Sequence, residues 1–210
     1  MSKGKNVLVA GANGTTGRII IDLLKKSETY QPIAMVRKQD QKDRFEKQGV
    51  STVLADLEED MSHAVKDVDK VIFAAGSGGK NVIGVDQEGA KSLTDAAKAA
   101  GIKKFVMLSS MGADSPSEVE GMEDYMSAKQ NADNHLRKSG LNYSIVRPGQ
   151  LTNEDSTGKI QLDEKLDTQG SIPRADVAHT LVEALDDRVK QNQIFEIISG
   201  EAPIEEAVRS

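Results

Sequence analysis

At 210 residues, with 38% hydrophobic and 29% charged side chains, the chain can build one domain around a well-buried sheet, and no apolar run approaches the ~20 residues that a bilayer span requires. A net charge of −6, from 27 basic against 33 acidic residues and without a long basic run, argues against nucleic acid as a partner. There is no cysteine, and only His63, His135 and His179 supply imidazoles, so neither a disulfide framework nor a dedicated zinc or iron site is expected; MSKGKN lacks an apolar leader core, which makes the cytoplasm the expected compartment.

The first apolar run, from Val7 to Ala10, leads into GANGTTGR and then into a segment carrying Ile19, Ile20, Leu23 and Leu24 at helical spacing. This predicts a strand turning sharply into a helix. Gly11 suits the tight turn, Gly14 lets the backbone approach a phosphate without a Cβ in the way, and Gly17 lets the helix pack close to its strand. The spacing is G-x-x-G-x-x-G, with Asn13 where a dinucleotide fingerprint usually has glycine; asparagine tolerates left-handed backbone, so the turn is preserved. The first-turn amides, of Thr15, Thr16 and Gly17, would then face the phosphates at the positive end of the helix.

Further strand-like runs follow at 32–36, 52–55, 70–75, 105–109, 143–147 and 194–198, with helical segments between them. This βαβ rhythm predicts an α/β doubly wound parallel sheet, a Rossmann fold, as a single domain covering 1–210. Ligands in such sheets lie beyond the carboxyl ends of the strands. After the second strand stand Arg37 and Lys38, where an acidic residue would favour NAD; with Arg18 they suit a 2′-phosphate instead. The expected cofactor is therefore NADP, with NAD as the alternative. Asp56 and Leu57, closing the third strand, are placed to meet an adenine amino group and its face, although Asp56 equally suits capping the next turn. Ala74, Ala75 and Gly76, closing the fourth, permit close approach to a ribose or diphosphate. A packing helix is expected over 92–100, stopped by Gly101.

The fifth strand delivers Ser109 and Ser110, and the spacing Tyr125-x-x-x-Lys129 follows. Residues four apart share a helical face, and a neighbouring ammonium favours the phenolate, so the pair suits acid/base work near neutral pH. The loop 111–122, with a Ser117-x-x-Glu120 capping-box pattern, and the segment 149–175, polar from Leu151 to Gly170, are the expected walls of a small C-terminal substrate region. Asp176 reads as a residue near the cap of the following helix.

Taken in order, the glycine loop, the basic second-strand end, the two serines, Y-x-x-x-K and Arg147-Pro148-Gly149 after the sixth strand resemble the short-chain dehydrogenase/reductase superfamily. More narrowly they resemble its atypical, NmrA-like NAD(P)H-binding branch, whose bacterial members are often described as sugar-nucleotide epimerases or reductases. The resemblance covers nearly the whole chain, through IPRADVA to the final strand FEIISG. It implies that Tyr125 handles a proton, Lys129 supports it and holds the nicotinamide ribose, Ser110 (less so Ser109) binds the substrate oxygen, and Pro148 and Gly149 shape the backbone at the nicotinamide. The superfamily commonly places a structural asparagine on the helix before the fifth strand; here the candidates are Asp86 and Gln87. The implied activity is NADP-dependent hydride transfer to or from a small carbonyl or alcohol. A sugar-nucleotide epimerase or dehydratase, a flavin or quinone reductase and a dinucleotide sensor are the alternatives. The oligomeric state has no signature in the sequence.

Overall fold

The computed structural model describes residues 4–210, so the first three residues of MSKGKN lie outside the described residues. The first half contains β1 (Lys5–Ala10), α1 (Thr15–Lys25), β2 (Tyr30–Val36), α2 (Gln39–Lys47), β3 (Ser51–Leu54) and β4 (Lys70–Phe73). A π-helical segment (Val82–Gly89) then runs directly into α3 (Ala90–Ala99) and β5 (Lys104–Leu108). A 3-10 turn (Pro116–Glu118), α4 (Glu123–Lys138), β6 (Tyr143–Pro148), β7 (Gln150–Thr152) and β8 (Lys159–Asp163) follow. The chain continues with β9 (Ser171–Pro173), α5 (Arg174–Glu183), β10 (Gln193–Ser199), β11 (Ala202–Pro203) and α6 (Ile204–Arg209).

The main sheet has nine strands in the order β11-β8-β10-β6-β5-β4-β1-β2-β3. Pairing is parallel from β3 across to β10, whereas β8 and β11 join antiparallel at the edge, so the expected parallel sheet is mostly rather than wholly parallel. β7 and β9 form a separate two-stranded parallel ladder. β4 and β5 are buried at every position, as strands covered on both faces must be. One apolar layer joins the sheet to α1, α5 and α6; the opposite layer joins it to α3 and α4. Helix α1 buries Ile20, Ile21 and Leu24 and leaves Ile19 and Leu23 half-buried, a stripe shifted toward Ile21 from the one read in sequence.

Strand order turns back on itself at β1, whose neighbours are β2 on one side and β4 on the other. In open α/β sheets such a reversal marks the place, beyond the carboxyl ends of the strands, where a ligand crevice forms. The polar stretch after β6 is less free than its composition suggests. Asp176 is the third residue of α5, fully buried, and its carboxylate accepts from the backbone N–H groups of Thr157 and Gly158 at 3.0 Å each and from the hydroxyls of Ser156 and Thr157. It pins that stretch to the body of the protein. The Ser117–Glu120 pattern forms no capping box, because α4 starts later, at Glu123, behind Met122 with no side-chain cap. Among the described residues no helix is long and apolar enough to cross a membrane.

Candidate functional site: the crevice at the carboxyl ends of the strands

The glycine loop has the geometry that its spacing predicts. Gly11 has φ +86°, and a Cβ there would come within 2.6 Å of the Ala75 backbone, so the first turn lies against the end of β4. A Cβ on Gly17 would sit 2.1 Å from the Gly11 carbonyl oxygen, which only glycine avoids. Gly14 differs from both. Its Cβ would meet only the Gly11 oxygen, at 3.3 Å, so its outer side is open, and it stands at the N-cap of α1 with no side chain capping the helix. The amides of Thr15, Thr16 and Gly17 are thus left to an outside acceptor, and the concave backbone fits a diphosphate.

Asn13 does more than tolerate the turn. Its Oδ1 accepts from the Arg18 guanidinium at 3.1 Å and also from that of Arg44, on α2. Two like charges converge on one neutral amide, an arrangement that an anion would relieve. Arg37 and Lys38 follow β2 directly and are exposed, with the Arg37 backbone N–H donating to Gln41 at 3.1 Å. Arg44 was not singled out in sequence: in QDQKDRFEK it is one charge among many, and only the packing of α2 behind the glycine loop brings it in.

The third and fourth strand ends divide. Asp56 accepts from the Glu58 N–H at 3.2 Å, which is the turn-capping role, and Leu57 is drawn into the core beside Gly89 instead of offering its face to an adenine. Ala74, Ala75 and Gly76 line the crevice beside Gly11, half-buried or exposed.

Because α4 follows a strand, its first turn lies at the carboxyl end of the sheet, and this places Tyr125 there, half-buried. The Lys129 ammonium lies 5.5 Å from the centre of the Tyr125 ring, on the same helical face. Lys129 is buried, and its nearest counter-charge is Asp86 from the π-helix, at 3.3 Å. One more helical step along that face is Asp133, which takes two bonds from the Arg147 guanidinium, at 3.0 and 2.9 Å. Burial pushes the Asp133 carboxyl above its ordinary range, against the pull of Arg147.

The two serines separate accordingly. Ser109 donates to Asp133 at 2.9 Å and is buried, so the structure removes it from the list of groups that meet a substrate. Ser110 is half-buried, its hydroxyl donating to the Met111 carbonyl at 3.2 Å. Pro148 is buried, with its carbonyl accepting from the Met111 N–H at 3.0 Å. A Cβ on Gly149 would strike the Gly170 carbonyl at 2.2 Å, so the glycine is required by the returning segment 149–175 as much as by any ligand. The two expected pocket walls are joined: Lys165 donates to Asp114 at 2.6 Å, and Asp114 also faces Arg147 at 3.8 Å.

Three further features stand outside this crevice. A groove of about 880 Å³ runs along α3, lined by residues such as Glu58, Lys91, Asp95 and His135, and does not include the glycine loop or Tyr125. His63 bonds the Leu54 carbonyl and His135 bonds Asp95, both structural contacts. His179, Glu183 and Glu205 bring potential ligand atoms within 4.8 Å of one another, but Glu183 is already bonded to Arg209 at 3.0 Å.

Residues 11–188 match the NAD(P)H-binding family. The chain belongs to that family. It is 39% identical, over 97% of its length and 98% of the relative's, to the uncharacterized sugar epimerase YhfK of Bacillus subtilis. It is 27% identical, over 99% of its length and 94% of the other's, to sanguinarine reductase of Eschscholzia californica. A solved structure from Bacillus halodurans, described provisionally as an NAD-dependent epimerase/dehydratase, superposes with a TM-score of 0.92 at 39% identity, covering 98% of this chain and 99% of that one. A nicotinamide dinucleotide is the cofactor of this family, and the loop, the open Gly14 and the uncapped α1 are the residues that fit it.

Proposed function

We propose that the protein is an NADP(H)-dependent oxidoreductase that interconverts a small carbonyl compound and its alcohol. The observation that carries this reading is the shared face of α4, with Tyr125 half-buried in its first turn and the Lys129 ammonium 5.5 Å from the ring centre, downstream of a loop suited to a diphosphate. The dinucleotide supplies the hydride when it is bound. The Tyr125 hydroxyl gives its proton to the substrate oxygen in the reducing direction and takes one in the other. Ser110 donates a hydrogen bond to the same oxygen, and Lys129 holds the phenol and a ribose in register. The preference for NADP rests on Arg18 and Arg44 converging on Asn13, with Arg37 and Lys38 beside them.

A second reading is favoured by one specific feature, the pairing of Lys129 with Asp86. A lysine whose charge is met by a buried carboxylate 3.3 Å away does less to activate a phenol. The protein would then pass hydride straight to an acceptor such as a flavin or a quinone, and Tyr125 would serve as a wall of the pocket. A screen of small aldehydes, ketones, quinones and flavins with NADPH separates the two. Reduction of a carbonyl that collapses in Tyr125→Phe supports the first reading; reduction that persists undiminished in that variant supports the second. No turnover with either class, in a protein that still binds NADPH, would discard both in favour of a dinucleotide sensor.

A further inference from the structure

The π-helix between β4 and α3 has no counterpart in the expectations from sequence, and it brings Asp86 to the centre of the site. π-helical turns are rare and concentrate at functional positions, because the extra residue per turn redirects a side chain. Here that side chain is 1% exposed. Its Oδ2 accepts from the Ser77 N–H at 2.9 Å, in the glycine-rich loop after β4. Its Oδ1 lies 3.3 Å from the Lys129 ammonium and would lie 3.3 Å from a Cβ on Gly76, and among the described residues it has no hydrogen-bond partner. The contact with Lys129 is therefore one of charge, not of an aligned hydrogen bond, and it leaves the ammonium's hydrogens free for other acceptors.

We infer that Asp86 is the positioning residue of the site: it balances the charge of Lys129 without consuming its donors, and through Ser77 it fixes the loop 74–79 to the same lysine. A carboxylate is needed because a buried ammonium without a counter-ion is unstable. A loop tie is needed because residues 76–79 include three glycines and would otherwise be free to move. The positioning of Lys129 for acid/base work rests on the Tyr/Lys reading above; the counter-ion role and the loop tie do not.

Asp86→Asn keeps the shape and an acceptor for the Ser77 N–H while deleting the charge. If Asp86 is the counter-ion, this substitution lowers Tm by roughly 5–10 °C, and adding Lys129→Met in the same chain recovers most of the loss. Losses that simply add in the double variant would overturn the counter-ion role. For the positioning role, Asp86→Asn deletes the negative charge beside the Tyr125–Lys129 pair and makes the loss of a proton from that pair easier, so the basic limb of the pH–rate profile for carbonyl reduction moves to lower pH. An unchanged profile alongside a coupled Tm would reduce Asp86 to a structural counter-ion. Asp86→Ala, which also removes the Ser77 acceptor, should weaken NADPH binding in calorimetry at least threefold more than Asp86→Asn does; equal affinities would overturn the loop tie. If Tyr125→Phe proves fully active, the acid/base reading has failed on its own, while the Tm cycle and the calorimetry still decide the role of Asp86.

Discussion

At the carboxyl end of the sheet Lys129 is buried beside Asp86, 3.3 Å away, and makes no hydrogen bond among the described residues, whereas at the amino end Lys70 and Lys104 are buried side by side and each donates to a backbone carbonyl. Lys70 and Lys104 are register partners on β4 and β5, and both reach under the end of α5, where Lys70 donates to the Leu185 carbonyl at 2.5 Å and to Asp187, and Lys104 donates to the Val189 carbonyl at 2.9 Å. Lys70 also lies 5.9 Å from the centre of the Tyr30 ring. Their work is to satisfy carbonyls that the loop after α5 would leave stranded in an apolar layer. The same residue type therefore clamps structure at one end and stands ready for chemistry at the other. What separates the two is whether its hydrogens already have partners.

The largest effect expected from breaking this contrast lies at the carboxyl end. Tyr125→Phe keeps the ring and removes the only proton that the side chain can transfer, so carbonyl turnover should fall roughly 10²–10⁴-fold. NADPH affinity should stay within twofold, measured by calorimetry. A fall in affinity of the same size as the fall in turnover would mean that Tyr125 acts in binding. The next effect concerns cofactor choice. Charge-assisted bonds to phosphate contribute ~1.5–3 kcal/mol, so Arg44→Ala should weaken NADPH by roughly ten- to a hundredfold while NADH hardly responds. Equal losses for the two cofactors would remove Arg44 from any 2′-phosphate site. In the intact protein, NADPH at a hundredfold excess over its dissociation constant should add ~2.7 kcal/mol and raise Tm by roughly 5–10 °C. No shift with either nicotinamide dinucleotide would contradict the glycine loop as a binding element.

The contrast also explains what sequence could and could not disclose. The glycine loop was legible because its three positions answer local demands: a positive φ at Gly11, an open side at Gly14 and helix-to-strand contact at Gly17. The two-faced burial of β4 and β5 was legible from unbroken apolar runs. Tyr125 and Lys129 were legible as a helical pair, and Asp133, a further four residues on, carried the same signal unread. Ser109 and Ser110 are neighbours on one backbone, so alternation should have allowed only one to face the crevice; which of them did so depended on Asp133. Arg44 left no local trace, since it enters the site through the packing of α2; Asp86 was legible only as one of two candidates, with Gln87, for a structural position, and the π-helix that turns it toward Lys129 is announced by no hydrophobic period. Asp56 and Leu57 went the other way: their spacing suited an adenine, yet the turn and the core had prior claims on both.

The smallest expected effect is at the amino end, and it is read as a dependence of stability on pH. Burial, reinforced by the charge of Lys70, pushes Lys104 down from its ordinary 10.5 to about 8. Between those values the unfolded chain holds a proton on Lys104 that the folded chain has released, so stability rises with pH across that window. Lys70 is lowered too, by burial and against the pull of Asp187, and contributes in the same direction. Tyr30 opposes both: burial and the nearby Asp186 and Asp187 carboxylates raise it to about 12, so its contribution is lost only above the ordinary tyrosine value of ~10. Urea unfolding should therefore show stability climbing by on the order of 1–2 kcal/mol from pH 8 to pH 10 and turning down beyond it. Lys104→Met should flatten the climb, because the group that titrates is gone. A climb that survives Lys104→Met unchanged would assign it to other groups, and a steady fall over the same range would mean that the amino-end lysines remain charged and comfortable in the fold, which would erase the contrast with Lys129.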